Sequence, residues 1–419
     1  MEHEFRVFVG VDWATEEHQV YAMDARRRVL GERVVKHSGA ALGELAAWLQ
    51  SLGAPETVAV AIETPRGAVV EMLVERGFPV FHLNPKQLDR FRDRHTVAGA
   101  KDDRRDAMVL ADSLRTDTHL FHRIRPDDDE VILLRELVRA DDDLAKEQNG
   151  LTNRLREQLI RYFPQVLELC STANEPWVWD LLVAIPTPAA AAKASANAVR
   201  AILAKNRIRR IDADKVLTTL RQPALRVAAG TVDAATAHIE LLVPRLHLVE
   251  MQRKSIEKRV KSLLEELATE ETPPGQEVEH RDVTVLLSLP GVGWKVSATM
   301  LVEASQALAE RDYPALRALA GVAPITKQTG KNKTGKVEMR RAANNRLRNA
   351  AYHWARVATQ VDPHARAHYS ALRARGHSHG RALRSVADRN LRILMAMLRA
   401  HTLYDPSHPR RGQPDAAAA

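Results

Sequence analysis

Cysteine is almost absent from the sequence, which contains one, Cys170, among 419 residues. A lone cysteine excludes an internal disulfide and a zinc site made of several thiolates, so we interpret Cys170 as a residue of the core. Apolar runs of the roughly 18 to 20 residues that span a bilayer are also absent, and the N-terminus does not have the basic and apolar order of a signal peptide. We therefore expect a soluble, cytoplasmic protein that does not enter a membrane.

The basic charge is concentrated in the last third of the chain. From Arg281 to Ala419 there are 23 Lys and Arg residues against 9 Asp and Glu residues, whereas the first 280 residues contain 39 against 44. A basic excess confined to one region is typical of a protein that binds a phosphate backbone. Binding to a membrane surface fits less well, because these basic residues alternate with Asn, Gly and Ala and lack an apolar face.

Residues 1–125 alternate short apolar runs with stretches of helical spacing, which predicts an α/β domain with a mixed sheet covered by helices. The predicted strands are Arg6–Asp12, His18–Asp24, Val29–Val35, Val58–Glu63 and Pro79–Leu83. The predicted helices are Ala40–Ser51, Gly67–Arg76 and Asp103–Leu114.

Residues 126–275 are predicted to form a helical arm. Leucines recur every seven residues at Leu137, Leu144 and Leu151, and a second heptad pattern begins after Pro244, which suits the first turn of a helix. Its a and d positions are Leu246, Val249, Arg253, Ile256, Val260, Leu263 and Leu267. We expect the two segments to pair as a coiled coil, with a small helical insert over residues 186–223. A linker at 272–275 precedes a mostly helical domain at 276–405 and a disordered tail at 406–419.

Four carboxylates occupy positions that can converge. Asp12 and Glu63 each end a buried predicted strand, and Asp103 and Asp106 lie three residues apart on one helix face. Phosphodiester cleavage with two metal ions needs several hard anionic oxygens, and these residues supply them. The alternative is structural: Asp12 caps a turn, Glu63 pairs with Arg66, and the other two lie on a solvated face.

The segments around these acids resemble the RuvC-like DEDD transposases of the insertion-sequence 110 family. The matching residues are 9–12, 62–64 and 100–107, with an Asn84-Pro85 turn between them. The resemblance implies a ribonuclease-H-like domain in which the four acids, Asp12, Glu63, Asp103 and Asp106, hold two Mg²⁺ ions, with Mn²⁺ as a substitute.

The basic C-terminal third contains two candidate DNA-binding elements. The turn Gly291-Val292-Gly293 precedes a helix that includes Lys295, and such a turn can expose N–H groups to a phosphate, as in a helix-hairpin-helix element. A plain turn between helices is the alternative. The second element is a Gly-containing basic stretch whose candidate contacts are Lys327, Lys331, Lys333, Lys336, Arg340, Arg341, Arg346 and Arg348.

This stretch resembles the second conserved block of the same family, in which a serine is the nucleophile of a composite site with the acidic domain. The matching residue here is Thr329, which keeps a hydroxyl but has a more restricted rotamer. Ser297 and Thr334 are the other candidate hydroxyls, although neither aligns with the family serine.

The resemblance implies a transposase that excises and inserts a mobile element, guided by an element-encoded RNA and acting on DNA at the nucleoid as a dimer or tetramer. Three alternatives come from the residues. The acidic domain by itself would suit a Holliday-junction-type nuclease, residues 10–15 look like the first phosphate loop of a sugar kinase, and the threonine at 329 would suit an inactive DNA-binding protein.

Overall fold

The computed structural model describes residues 5–83, 88, 91, 103–124, 129–269, 281–329, 332–340 and 342–407, with the backbone alone at 325–329 and 332–338. The chain divides into two compact units, Met1–Asp128 and Asp129–Ala419. The predicted linker at 272–275 and residues 408–419 of the predicted tail lie outside the described residues.

The N-terminal unit contains a six-stranded mixed sheet with the strand order β3-β2-β1-β4-β5-β6. The strands are β1 (Val7–Asp12), β2 (Glu17–Asp24), β3 (Val29–Lys36), β4 (Val58–Ile62), β5 (Val80–His82) and β6 (His122–Arg123). The helices are α1 (Gly39–Leu52), α2 (Ala68–Glu75) and α3 (Asp103–Asp117), with short 3₁₀ turns at Pro55–Thr57 and Thr118–Leu120. Strands β1, β4 and β5 run parallel, and the other neighbours are antiparallel. The predicted α/β class is confirmed.

The two faces of the sheet are covered by different helices. Val9, Val11 and Val60 belong to a core shared with α1 and α2, whereas Phe8 and Ala61 belong to a core shared with α3. Because successive side chains of a strand point to opposite faces, the alternation assigns every residue of β1 and β4 to one helix layer or the other.

In the second unit, α4 (Asp129–Tyr162) and α10 (Ala229–Ala268) pack side by side. Arg253 bonds Asp141 and Arg245 bonds Glu147, so the two helices run antiparallel. The expectation that the second helix begins at Pro244 is wrong, because the helix starts at Ala229 and Pro244 lies inside it. Pro244 and Glu240, whose carbonyl loses its N–H partner, are both exposed residues, so water can bond that carbonyl and the helix can continue.

Five short helices connect these long ones: α5 (Gln165–Leu169), α6 (Pro176–Ala184), α7 (Pro188–Lys193), α8 (Ala196–Lys205) and α9 (Ala213–Leu220). They enclose a core with both long helices, in which Trp177 and Trp179 are almost completely buried. Side-chain caps from Thr187, Ser195 and Asp212 begin α7, α8 and α9.

The C-terminal region is mostly helical, as predicted, around the buried Trp354. Its helices are α11 (Asp282–Ser288), α12 (Trp294–Glu303), α13 (Ser305–Ala309), α14 (Tyr313–Leu319), α15 (Asn345–Val361), α16 (Pro363–Ala374) and α17 (His379–Ala400). An antiparallel pair, β7 (Pro324–Thr329) and β8 (Asn332–Met339), interrupts them and was not predicted. Within the described part of the chain, no helix is both long and apolar enough to cross a bilayer.

Candidate active site

Helix α3 lies directly on strand β1 because residue 10 has no side chain. A Cβ atom on Gly10 would stand 1.9 Å from the carbonyl oxygen of Ala107 and 2.7 Å from the backbone nitrogen of Ala111. Such distances are far below van der Waals contact, so only glycine permits this approach. Gly10 therefore fixes the position of α3 two residues before Asp12.

The direction of α3 follows from its contacts with β2 and β3. Near its start, Arg104 bonds both carboxylate oxygens of Glu32, and these hydrogen bonds hold the pKa of Glu32 below its usual range. Near its end, Arg115 donates to the carbonyl oxygen of Ala25 over 3.4 Å. Ala25 follows Asp24, which pairs with Val7 at the start of β1. Helix α3 thus runs opposite to β1, and its N-terminus lies at the edge where β1 ends.

The register of the parallel strands places two acids at that same edge. Val11 of β1 pairs with Ile62 of β4, so Asp12 and Glu63 follow at neighbouring positions. Parallel strands lie about 4.8 Å apart. Carrying the alternation one residue past Ile62 places Glu63, like Asp12, on the face that α3 covers. Both acids are half-buried.

The first turn of α3 contributes the other two acids. Asp106 is 4% exposed, whereas Asp103, one turn earlier, is exposed. Carboxylates in a first helical turn are stabilised by the partial positive charge of the helix N-terminus. The fold therefore brings the backbone positions of all four predicted acids to one sheet edge.

The side chains do not form a closed ligand cage. Among the described residues, no three His, Cys, Asp or Glu side chains are grouped closely enough to hold a metal ion. The chemistry of the set nevertheless suits a hard divalent cation, since all four donors are carboxylates. The residues fit such an ion by donor type and by position along the edge, while metal binding requires their side chains to turn toward each other.

A histidine pair lies next to the end of β1, on the sheet face opposite to Asp12. The Ala14 N–H donates to Nδ1 of the fully buried His18 over 3.4 Å, so Nε2 of His18 carries the proton and donates to Nδ1 of His37 over 2.9 Å. Burial, and then the nearby His37, lower the pKa of His18. The Trp13 ring stacks on His18 with a centroid distance of 6.2 Å. This packing fixes the backbone that leaves β1 at Asp12.

Two family models match the chain. The DEDD model of the IS110 group, described as Transposase, matches residues 9–164, and the model described as Transposase IS116/IS110/IS902 family matches residues 283–370. A relative from Streptomyces coelicolor, named as a mini-circle transposase for IS117, is 31% identical over 415 residues, 96% of each chain. This chain belongs to the IS110 family of transposases.

Two other relatives of this transposase also carry insertion-element or transposase names. A protein of insertion element IS110 from Streptomyces coelicolor is 28% identical over 413 residues, 96% of each chain. A relative from Sinorhizobium fredii, named as transposase y4uE, is 52% identical over 209 residues, 49% of this chain but only 58% of the relative. Family membership implies binding to DNA and, for the DEDD domain, use of a divalent metal.

The predicted turn at Gly291 is held by packing inside the C-terminal region. Gly291 has a φ of +81°, and a Cβ there would lie 2.8 Å from the backbone nitrogen of Ala358 on α15. The Trp354 indole donates to the carbonyl of Pro290 over 3.0 Å. Gly293, in contrast, is exposed at the start of α12, with open space around its Cα. Gly291 therefore has a packing role, and Gly293 is the accessible glycine of the pair.

Two predicted DNA contacts take part in ion pairs within the protein. Nζ of Lys295 lies 2.6 Å from the buried Asp141 and 2.7 Å from Asp142, and Nε of Arg346 lies 3.1 Å from Asp142. Asp141 also accepts from Arg253 of α10 over 3.0 Å. These pairs attach α12 and α15 to α4, so Lys295 and Arg346 have a structural function in the second unit.

Four of the remaining predicted basic contacts, Lys327, Lys333, Lys336 and Arg340, lie on or directly after the β7–β8 hairpin, and Arg348 lies on α15. Arg340 donates to the carbonyl of Ala342 over 3.0 Å, and Arg348 donates to Asn345 over 2.6 Å. Lys327 and Lys336 are paired across the hairpin. Lys333 is also on β8, and only the backbone of the three lysines is described, while Lys331 and Arg341 lie outside the described residues.

The candidate hydroxyls differ in position. Thr329 is the last residue of β7 and pairs with Asn332, which places it at the end of the hairpin. Thr334 lies within β8, and the side chains of both threonines are outside the described ones. Ser297 is completely buried in α12, and its Oγ has no hydrogen-bond partner among the described residues. Ser297 is therefore inaccessible to DNA in this structure.

The sequence interpretation missed a second basic surface. Residues 363–400 contain eight arginines and one acid, Asp388, whose carboxylate is bonded by Arg317. Arg375 and Arg381 are exposed at the turn between α16 and α17. Burial, and then Arg389 and Arg375, lower the pKa of His368. The signal was the charge count itself, which extends well beyond the glycine-containing stretch.

Proposed function

We propose that this transposase excises and inserts its element by Mg²⁺-dependent cleavage and rejoining of DNA, with Asp12, Glu63, Asp103 and Asp106 as the metal ligands. The contact of α3 with Gly10 supports this most directly, because it brings the N-terminal turn of α3 to the edge where β1 and β4 end. A bound divalent ion would neutralise phosphate charge and assist attack at phosphorus. Mn²⁺, which also accepts oxygen ligands, would substitute.

The four acids have separable functions in this proposal. Asp106, buried at the start of α3, is held by the helix, whereas Asp103 is exposed and can turn toward a ligand. Asp12 and Glu63 sit at the ends of rigid neighbouring strands, which keeps their spacing fixed. Mg²⁺ requires a well-defined arrangement of oxygen ligands, and rigid strand ends provide part of it.

The nucleophile in this proposal is Thr329. Its hydroxyl oxygen forms a bond to phosphorus and gives its proton to water, while the bond from phosphorus to the deoxyribose oxygen breaks and that oxygen leaves as a hydroxyl after taking a proton from water. Attack by the hydroxyl of another DNA end then breaks the threonine ester and restores the side chain. Because each phosphate ester that breaks is replaced by a new one, cleavage and rejoining need no external source of energy. The position of Thr329 at the end of a lysine-containing hairpin supports this assignment.

Strand exchange brings two DNA sites together, which favours a dimer or tetramer. We also propose that the α4 and α10 pair is a coiled-coil arm, since the heptad positions Leu246, Val249 and Val260 are buried. A guide RNA, as the family resemblance implies, would supply the sequence specificity. Its phosphate backbone would be bound by the same basic C-terminal region.

Asp12→Asn and Asp106→Asn test the metal assignment. Each removes one negative oxygen while keeping the shape of the side chain, so we expect at least about a thousandfold loss of Mg²⁺-dependent cleavage, on the order of 4 kcal/mol in barrier height, with DNA binding retained. The exposed Glu71→Gln, on α2, is the matched control and should cleave normally. Full cleavage by both variants would reject the assignment. Hydrolysed ends without joined products in the unmodified protein would favour a nuclease instead.

The contribution of the arginines in residues 363–400 to DNA binding is tested by the salt dependence of the binding constant. Replacing Arg375, Arg381 and Arg384 by Ala should weaken DNA binding and reduce the slope of log K against log salt by about 0.9 for each lost phosphate contact. Arg154→Ala, at an exposed site on α4, should leave the slope unchanged. An unchanged slope in the triple variant would restrict the DNA contacts to the β7–β8 hairpin.

A further inference from the structure

The N-terminal half of α10 is apolar on two opposite faces. One face is buried against the middle helices and α4, and consists of Ala235, Ile239, Leu242, Val243, Leu246 and Val249. The opposite face is exposed, and its residues, which we name the outer stripe, are Ala234, Ala237, Leu241, Pro244, Leu248 and Met251. The exposed fractions of Leu241, Leu248 and Met251 are 70%, 49% and 61%. A line of large exposed apolar side chains on one face indicates a binding surface.

The spacing of the outer stripe is that of a coiled-coil seam. Its members alternate steps of three and four residues, which is the a and d pattern of a heptad repeat. Five turns of helix make the stripe about 26 Å long. The next two positions in the pattern are Ser255 and Lys258, so the seam ends there. A seam of this kind fits another helix with the same pattern.

The stripe is complementary to itself when two copies run antiparallel. Antiparallel coiled coils place a positions opposite d positions, which puts Ala234 opposite Met251 of the second copy and Ala237 opposite Leu248 of the second copy. The outer layers thus combine alanine with a large side chain and the central layers combine Leu241 with Pro244, so side-chain volume is balanced along the seam. A parallel pair would instead place alanine against alanine in two layers and leave gaps.

The charges beside the stripe agree with the same arrangement. Asp233 and Glu240 flank its N-terminal half, and His247 and Lys254 flank its C-terminal half on the same side. An antiparallel second copy brings Asp233 near Lys254, whereas His247 faces Asp180 over 3.4 Å and packs edge-on against Trp179 in its own chain, so it does not contribute to the seam. Lys254 is 67% exposed, and its present partner Glu250 lies one turn away in the same helix, an arrangement that contributes little energy. Lys254 is therefore free to exchange partners.

We propose that the outer stripe of α10 binds a second copy of this chain, with the two α10 helices antiparallel. The two-fold axis then passes between residues 242 and 243, and every contact occurs twice. This proposal extends the oligomer inferred under the proposed function, but it concerns association only. Its test uses no DNA and no metal. The association proposal can therefore fail while cleavage by the acidic site is upheld, and cleavage can fail while association is upheld.

The first experiment measures association of the full-length protein by sedimentation equilibrium without DNA. We expect a dimer whose dissociation constant rises at least a hundredfold in Leu241→Asp, because two aspartates enter the seam of each dimer. Val34→Asp, at an equally exposed apolar residue on β3, should dimerise normally. Circular dichroism should show unchanged helix content, since position 241 is exposed. A protein that stays monomeric at about 100 µM, between the micromolar and millimolar ranges of affinity, or unchanged association of Leu241→Asp, would overturn the proposal.

The second experiment tests the direction of the helices by disulfide formation. Ala237→Cys and Leu248→Cys chains should cross-link with each other when mixed and oxidised, whereas either variant alone should remain largely unlinked. The native Cys170 is buried and can stay in place. Cross-linking of Ala237→Cys alone, with none in the mixture beyond that level, would show a parallel pair and reject the antiparallel arrangement.

Discussion

Replacing Gly10 by Ala should damage both the stability and the activity of the transposase. The new methyl group would lie 1.9 Å from the Ala107 carbonyl oxygen, and an ordinary contact begins near 3.4 Å. Helix α3 must therefore retreat from β1 by about 1.5 Å, because both partners are backbone and no side chain can rotate away. Overpacking in a core costs about 1–3 kcal/mol and occasionally more. We expect a loss of about 3 kcal/mol in the free energy of unfolding of the N-terminal unit.

The same displacement should affect catalysis beyond the loss of folded protein. Asp103 and Asp106 move with α3, while Asp12 and Glu63 stay with the sheet, so the acids separate by a distance that Mg²⁺ coordination does not tolerate. Urea denaturation measures the stability, and single-turnover cleavage under conditions where the variant is folded measures the activity. We expect cleavage to fall at least a hundredfold.

The matched control is Gly43→Ala on α1 in the same unit. A Cβ at position 43 meets nothing within 4 Å, and alanine is favoured over glycine inside a helix, so this variant should be stabilised by about 0.5–1 kcal/mol. If Gly10→Ala unfolds at the same urea concentration as the unmodified protein and cleaves at the same rate, then α3 is not held against β1 in solution.

Two other predictions concern the nucleophile and pH. Thr329→Val should lose at least about a thousandfold in strand cleavage, whereas Thr329→Ser should keep or exceed the original rate. Peptide mapping of a trapped protein–DNA adduct identifies the attacking residue. An adduct at a residue other than Thr329 would assign the nucleophile to that residue. Burial lowers the pKa of both His18 and His82, with smaller effects from neighbouring histidines. Their stabilising contribution is present above the unfolded pKa near 6.5 and is lost as pH falls through the lower folded values. The N-terminal unit should thus be less stable at pH 5.5 than at pH 7.5, and replacing both by Gln should flatten the difference; an unchanged pH dependence would contradict this.

The sequence predicted the N-terminal fold well because its strands are short apolar runs between turn residues. The run before Asp12 and the run before Glu63 are buried along their whole length, and both were recognised. Strand β6 has only two residues, His122 and Arg123, and gives no periodic signal. Pro244 misled the interpretation, since proline usually begins a helix, and exposure at that site depends on tertiary packing that the sequence does not state.

The sequence also indicates only part of the candidate site. The chain positions of the four acids could be recognised, but the closeness of α3 to β1 depends on Gly10, whose contact partner Ala107 is far away in sequence. In the C-terminal region, the predicted DNA contacts Lys295 and Arg346 pair with carboxylates of α4, and charge alone does not reveal such a neighbour in advance. Sequence cannot distinguish a cation used for packing from one that faces solvent.

The ion pairs around Asp141 have a practical consequence for handling the protein. The Asp141 side chain is only 3% exposed, and its partners Lys295 and Arg253 are each two-thirds buried. Salt screens such partly buried pairs much less than contacts between exposed side chains and phosphates. A high-salt wash should therefore strip nucleic acid from the purified transposase while α12 stays attached to α4. We expect protein prepared in that way to be free of copurified nucleic acid with the packing of α12 on α4 unchanged.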